Sequence, residues 1–238
     1  MERMQRMQTT NNIRYQGMKK IISFSVWGSN PKYAEAAYQN LLLQPEIYPD
    51  WTCRFYIDET VPSNVRTKLE KGAEVVMMPK SDGNYGLFWR FEPLKDLTIE
   101  RFIVRDSDSR LNIREVAAVK EWEESGKEFH IMRDHEQHRA YICGGMWGAT
   151  SEFINKYAPI YDEELKRFLS SLSFVNIQTP RGNYFNSDQP FLWKHIWPRI
   201  INSHIAHIKN LPSLRFTGQE RLFPIDNPDK MFVGQPID

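Results

Sequence analysis

Cysteine is scarce. Cys53 and Cys143 are the only two in 238 residues, each sits in an apolar run, and no C-x-x-C pair occurs. That excludes a disulfide framework and reads as two buried thiols in a reducing compartment. No sign of charge dominates. Lys and Arg total 31 against 30 Asp and Glu, a formal charge of +1, so there is no basic field for non-specific nucleic-acid binding. Long hydrophobic runs are missing too, none approaching the roughly 18 residues that span a bilayer. The opening MERMQRMQTTNN has no apolar core of the secretory-signal kind. It is expected to form a flexible polar leader through residue 18. The expectation is a soluble, cytoplasmic protein with no membrane insertion, and no internal repeat or low-complexity segment interrupts the chain.

What is present is apolar and aromatic. Hydrophobic residues make up 41% and aromatics 13%, enough to fill the core of one large α/β domain. Strand and helix signals alternate. KKIISFSVWG (19–28), WTCRFYID (51–58), AEVVMMP (73–79) and ERFIVRD (100–106) are β-rich apolar runs. NPKYAEAAYQNLLLQP (30–45) and PSNVRTKLEKG (62–72) are helical between them, the first opening on an Asn-Pro cap and ended by Pro45 and Pro49. Pro93 restricts 86–97 to a short or kinked helix. A capped helix is expected at 112–126 and strands at 128–134 and 140–149. A helix in two pieces around Pro159 follows at 151–172, with a short one within 187–200. The tail from Ile201 reads as mostly irregular. The alternation over the first 110 residues predicts βαβ units and a parallel sheet.

In such sheets ligands bind beyond the carboxyl ends of the strands. Three segments fall there: the SVWGSN loop, Asp58, and the stretch FIVRDSDSRL (102–111). Two aspartates at i and i+2 share one face of extended chain, roughly 6–7 Å apart. Asp106 and Asp108 can therefore point at one hard cation, and Mg²⁺ or Mn²⁺ with oxygen ligands retains open positions for substrate phosphates. The alternative is a solvated turn with the two charges neutralised by Arg105 and Arg110.

A nucleotide-binding half followed by a strand ending in Asp-x-Asp resembles the GT-A-type nucleotide-sugar glycosyltransferases. GLFWRFEPLKDLTIERFIVRDSDSR is similar to the glycogenin-like arrangement, with a basic residue, here Arg90, on a helix before the Asp-x-Asp strand. RDHEQHRAYICGGMWGA (133–149), NSDQPFL (186–192) and FP…MFVGQ (223–235) resemble a group of viral and microbial GT-A-type proteins, mostly of unassigned specificity. The resemblance runs from about Lys19 to the C-terminus. It implies a single GT-A-type domain with a mixed, mostly parallel central sheet flanked by helices, residues 19–110 being a Rossmann-like nucleotide-binding half and 111–238 an acceptor-binding half. It also implies a hexosyltransferase-like enzyme that moves a sugar from a nucleoside diphosphate sugar, first of all a UDP-sugar, to a hydroxyl of a glycan or other acceptor.

Carried over residue by residue, the resemblance gives Asp108 and Asp106 to the metal, with Asp106 and Ser107 also near the donor. His204, with His207 as the alternative, becomes a third metal ligand; the plain reading of both is ordinary core or surface histidine. Arg90 would reach the donor phosphates, against a surface salt bridge to Glu92 or Asp96. Ser25, Val26 and Trp27 would read the nucleoside, Trp27 or Tyr33 would stack on it, and Asp58 would contact it, against core rings and a turn aspartate. Arg133, Asp134, His135 and His138 form a polar cluster that is either pocket or hairpin loop. Gly144 and Gly145 would let a sugar approach the backbone, with Trp147 as a platform. Asp188 and Gln189 fall in the sugar or acceptor pocket, although Asp188 also suits a helix start. An inverting enzyme needs a carboxylate to take the acceptor's proton, with Asp188 the first candidate and Asp134 the second. A retaining one needs no base there. A metal-dependent nucleotidyltransferase or phosphatase, and a non-catalytic sugar-binding protein on the same scaffold, are the competing functions.

Overall fold

A computed structural model describes residues 17–173 and 184–237, so the expected leader, apart from its last two residues, lies outside the described residues. The chain runs β1 (Lys19–Val26), α1 (Pro31–Ile47), β2 (Thr52–Ile57), α2 (Ser63–Glu70), β3 (Glu74–Met77), a 3-10 segment (Tyr85–Lys95), β4 (Ile99–Arg105) and α3 (Ile113–Ser125). It continues with β5 (Phe129–Arg133), β6 (Met146–Thr150), α4 (Ser151–Ser173), α5 (Asp188–Phe191), a π-helical turn (Leu192–Ile196), α6 (Trp197–Ile200), β7 (His204–Ile208), a 3-10 turn (Pro212–Leu214) and β8 (Arg221–Leu222).

The eight strands form one sheet in the order β3-β2-β1-β4-β6-β5-β7-β8. Every neighbouring pair is parallel except those made by β6, which is antiparallel to both β4 and β5. The first four strands are thus an all-parallel unit, as the alternation predicts, and the whole is the mixed, mostly parallel α/β sheet that the resemblance implies. Both faces are covered, as a parallel sheet requires. Along β1, Ile22, Phe24 and Val26 face a core shared with α1, α2 and α3. Ile21 faces the other core, built from the 3-10 segment, α4 and the region around Phe191. Among the described residues no helix is long and apolar enough to cross a membrane.

Local chemistry sets the helix ends. Asn30 caps α1 by accepting from Lys32 N at 3.0 Å with Pro31 in the first turn, and Asn112 caps α3 by accepting from Glu115 N at 3.1 Å. Gly126 ends α3 at φ 67°, a left-handed conformation that glycine adopts without a Cβ penalty. Two proline expectations fail. α1 continues through Pro45 to Ile47, and α4 is one helix of 23 residues with Pro159 inside it. The aromatic stripe Phe153, Tyr157, Tyr161, Leu165 and Phe168 is buried along that helix, and tertiary packing of this stripe outweighs the local break. The strand expected from residue 140 begins only at Met146, and the tail read as irregular holds β7, fully buried between β5 and β8.

Candidate functional site

Because β1, β2, β4, β5 and β7 all point the same way, their carboxyl ends lie along one edge of the sheet. β6 runs against them, so its amino end reaches that edge too. The register pairs Arg105 with Met146, which sets the residues before β6, Gly144 and Gly145, beside those after β4, Asp106 to Ser109. Between β1 and β4 the chain order reverses direction, the topological switch point at which open α/β sheets bind ligands.

A cavity of about 460 Å³ opens there, lined by Ser25, Val26, Trp27, Tyr33, Asn84, Leu87, Ser107 and their neighbours. Five residues expected around a nucleoside, Ser25, Val26, Trp27, Tyr33 and Ser107, therefore share one wall. Trp27 packs flat on Gly86, where a Cβ would fall 2.5 Å from the ring. It also meets Trp89 edge-on at 6.1 Å. Asp58 is not on this wall. Its Oδ1 accepts from Thr60 N at 3.0 Å and from the Thr60 hydroxyl, and its Oδ2 accepts from Ser81 N at 2.9 Å. Thr60 Oγ1 in turn accepts from Gly28 N at 2.7 Å, so Asp58 braces the loops behind the cavity.

After β4 the chain turns: Ser109 N and Ser109 Oγ both donate to Asp106 O, at 3.4 and 3.0 Å. Within this turn Ser107 and Ser109 are buried while Asp106 and Asp108 are half-exposed, so the stretch is not the extended chain from which a shared face of the two aspartates is reasoned. Arg90 comes in from the 3-10 segment, whose backbone is anchored where Ser23 Oγ donates to Arg90 O at 2.8 Å. One guanidinium nitrogen of Arg90 pairs with Asp106, and the other with Asp188 Oδ2 at 2.8 Å. The surface pairing open to Arg90 is not made: Glu92 pairs with Lys95 and Asp96 with Arg54. Burial alone would lower the Arg90 pKa, but the charges of Asp106 and Asp188 outweigh it and hold the pKa above its ordinary value. Burial, with the charge of Asp106, pushes the Asp188 carboxyl up against the pull of Arg90. Two carboxylates share one guanidinium.

Gly144 and Gly145 press on this cluster. A Cβ at Gly144 would sit 2.0 Å from Asp188 Oδ2, and one at Gly145 would sit 2.1 Å from Asp106 Oδ2. The glycines are there for close backbone approach, as the sequence suggests, but what they approach is protein carboxylate. Trp147 is no sugar platform. It is fully buried, stacked on Phe129 at 5.1 Å and edge-on to Phe91 and Phe102, with Nε1 donating to Gly144 O at 3.1 Å. Its ring is core, and its indole N–H fixes the glycine turn. Gln189 follows Asp188 in α5 and is half-buried.

Asp134 is engaged elsewhere. Both of its oxygens accept from Arg114, from Nε and Nη2 at 2.8 Å each, and Oδ2 also accepts from Val233 N at 2.9 Å. It lines a separate cleft with Arg114 and Lys209. It braces the C-terminal segment, with three of its roughly four acceptor sites already filled by Arg114 and Val233. Beside it His135 stacks on Phe232 at 4.3 Å, and His138 Nδ1 accepts from the backbone N–H groups of Asp134 and His135. Arg133 ends β5 and donates to Tyr141 O at 2.8 Å and to Glu220 at 3.1 Å, while residues 134–138 form a loop packed against the segment that carries Phe232 and Val233.

Neither late histidine reaches the aspartates. His204 pairs with Phe129 at the start of β7, level with Phe102 and about 13 Å along the strands from Asp106. Its Nδ1 meets Ile200 O at 2.9 Å. His207 lies three strands from β4, about 14 Å across the sheet. Its two ring nitrogens meet His130 Nε2 at 2.9 Å and Glu121 Oε2 at 3.0 Å. Among the described residues no group of three or more His, Cys, Asp or Glu side chains is arranged to hold a metal ion. The donors available to a cation are Asp106 and Asp108. Burial, then the charge of Asp106, raises the Asp108 carboxyl above its usual range against the pull of Lys32 and Arg90. Hard oxygen donors that repel one another fit a divalent cation held by one or two carboxylates and completed by substrate phosphates. Sequence reasoning missed Asn40, fully buried in α1 and bonded to the Asp-x-Asp loop. The signal was there: a polar residue in the apolar stripe of Ala37 and Leu41.

No protein-family model matches the chain, and no curated protein matches it either. Among solved structures it is similar to a glycosyltransferase involved in glycosylation of the major capsid of PBCV-1, with 16% identity over 80% of this chain and 81% of that one and a TM-score of 0.46. It is similar to a Mycobacterium tuberculosis glucosyl-3-phosphoglycerate synthase, with 11% identity over 83% and 74% of the two chains and a TM-score of 0.47. A further likeness is to a Pyrobaculum calidifontis mannosyltransferase in complex with GDP-Man and Mn²⁺, with 12% identity over 58% and 46% of the two chains and a TM-score of 0.43. In other matches to the mycobacterial synthase the chain spans 60% or less of its length. At TM-scores below 0.5 these likenesses assign no substrate and no activity to this chain.

Proposed function

We propose that this chain is a metal-dependent glycosyltransferase of the GT-A type, acting on a nucleoside diphosphate sugar, with a UDP-sugar as the first candidate. The observation that carries the proposal is the juxtaposition at the β1/β4 switch point: a cavity of about 460 Å³ with Ser107 in its wall, continuous in sequence with Asp106 and Asp108. The backbone of Ser25 to Trp27 and the rings of Trp27 and Tyr33 would hold the nucleoside. Asp106 and Asp108 would hold Mn²⁺ or Mg²⁺, which when bound supplies charge neutralisation of the leaving diphosphate. Arg90 adds positive charge at the same place.

In the transfer, the acceptor oxygen forms a bond to the anomeric carbon, the bond from that carbon to the diphosphate oxygen breaks, and the hydroxyl proton leaves. Asp188 would be the carboxylate that takes that proton if the reaction inverts. It is buried and held by Arg90, and its raised pKa makes it a better proton acceptor than an ordinary aspartate. Calorimetric titration of UDP, with and without Mn²⁺, on the wild type and on Asp108→Asn is the direct test. Binding that needs both the metal and Asp108 is expected. Equal binding by the variant, with turnover retained, would overturn the proposal.

A further inference from the structure

We infer that Asn40 is the positioning residue of the Asp106–Asp108 pair, because its buried amide ties down the backbone on both sides of Asp108. Nδ2 donates to Ser107 O at 3.0 Å and to Ser109 O at 2.8 Å, and Oδ1 accepts from Leu111 N at 3.2 Å. Three of the four hydrogen-bonding places of the amide are thus spent on one five-residue stretch. The carbonyl between the two clamped ones, Asp108 O, accepts from Ile237 N at 2.8 Å. Asp106 O accepts from Ser109 Oγ at 3.0 Å. The peptide units that carry the two carboxylates therefore have fixed directions.

Packing alone does not explain an asparagine here. Position 40 is fully buried inside a 17-residue helix, asparagine is a weak helix former, and burying its amide is costly unless each polar atom is bonded. An aliphatic residue would suit the apolar stripe of Ala37 and Leu41 at lower cost. What the amide adds is a rigid link. The same helix carries Tyr33, and its cap carries Asn30, on the cavity wall, so one element fixes both the nucleoside side and the carboxylate loop. Asn40 touches neither ligand and acts through the loop. The inference rests on the metal–nucleotide reading of the site.

The test uses Tb³⁺ luminescence as a probe of the oxygen site, Mn²⁺ competition against it, and amide hydrogen exchange over Ser107 to Leu111. The proteins are the wild type, Asn40→Ala, Asn40→Asp, Asp108→Asn, and Val65→Ala as a control for lost stability. Val65 is buried in α2 and lies outside the cavity wall. Asn40→Ala is expected to lower Tb³⁺ affinity at least tenfold and to speed exchange in the loop, with the far-UV spectrum retained. Asn40→Asp keeps the shape but cannot donate to the two carbonyls, and should lose affinity likewise. If the alanine variant does not fold, Asn40→Ser takes its place in the comparison. Wild-type affinity in the folded Asn40 variants, or an equal loss in Val65→Ala, overturns the inference alone. A wild type that binds Tb³⁺ no better than Asp108→Asn does overturns the metal reading, and the inference with it.

Discussion

Asp106 and Asp188 are held by opposite nitrogens of one guanidinium, that of Arg90. The three side chains come from separate elements: the loop after β4, the start of α5 and the 3-10 segment. Arg90→Met removes the cation and strands Asp188, which is buried. Breaking a buried pair by deleting one partner costs about 3–5 kcal/mol, and a loss of that order is expected in urea unfolding. Arg90→Lys offers a point charge in place of a planar two-pronged donor and should recover only part of it. Adding Asp188→Asn to Arg90→Met should cost less than the sum of the two single changes, because the stranded charge is gone. Additive losses would show that the pair is not coupled.

The backbone turn at Gly144 and Gly145 gives a second expectation. A methyl at either position overlaps a carboxylate oxygen, so Gly145→Ala must displace Asp106, and Gly144→Ala must displace Asp188. Gly145→Ala should remove metal-dependent UDP binding in calorimetry, and Gly144→Ala should lower turnover of bound substrate, each with the folded spectrum kept and about 1–3 kcal/mol of overpacking strain. Gly126→Ala is the contrast. That glycine has open space around it and a φ of 67°, so the change should cost about 1 kcal/mol and leave binding alone.

Much of the fold and part of this site were legible in the sequence. The parallel unit is written in β-rich runs separated by helical ones, whereas Asp106 to Ser109 form a turn rather than the extended chain from which the shared face of the two aspartates is reasoned. Ser25, Val26, Trp27, Tyr33 and Ser107 meet at one cavity because strand ends in a parallel sheet share an edge. What was hidden depends on register and on long-range pairing. The sequence of His204 and His207 does not say that β7 lies three strands from β4. Asp134 reads as a loop carboxylate until Arg114 and Val233 are seen to fill it. Trp147 reads as a sugar platform, and its stack on Phe129 puts it in the core instead. Pro159 signals a break that the buried aromatic stripe of α4 overrides.

Stability should fall in mild acid. His130 is fully buried and stacked on Trp122 at 5.3 Å. Burial, then the neighbouring His207 and Arg105, hold its pKa well below the ordinary value. His207 is lowered by burial despite Glu121, and His138 is lowered by burial and His135 to about 4. Each stays neutral in the folded chain while the unfolded chain takes up a proton below about pH 6.5. The stabilising contribution is therefore present above that pH and is lost as pH falls toward the folded-state values. Where one such histidine titrates only in the unfolded chain, stability changes by about 1.4 kcal/mol per pH unit. Urea unfolding at pH 7.5, 6.0 and 5.0 should show the fall. His130→Leu should make it shallower by about one proton's worth, and an unchanged slope in that variant would remove His130 from the account.

Asp134 separates a brace from a base. Its carboxylate takes two bonds from Arg114 and one from Val233 N, while Arg114 also reaches Asp226 and the Ile225 carbonyl. This pair thus helps fasten the segment from 225 to 237 to α3 and to the end of β5, and the segment's inward residue Val233 packs with Met132, Cys143 and Met146. Asp134→Asn keeps the size and loses the charge that makes the Arg114 bonds strong. As a brace, it should loosen the end of the chain first: limited proteolysis should cut within 225–237 faster than in the wild type, and Ile237 should release Asp108 O. Metal-dependent binding would weaken with that release, and activity would fall in step with it. As a base, the same change would abolish turnover of bound substrate while leaving proteolysis and UDP binding as they were. The two outcomes exclude one another, and the bonds already made by both carboxylate oxygens favour the first.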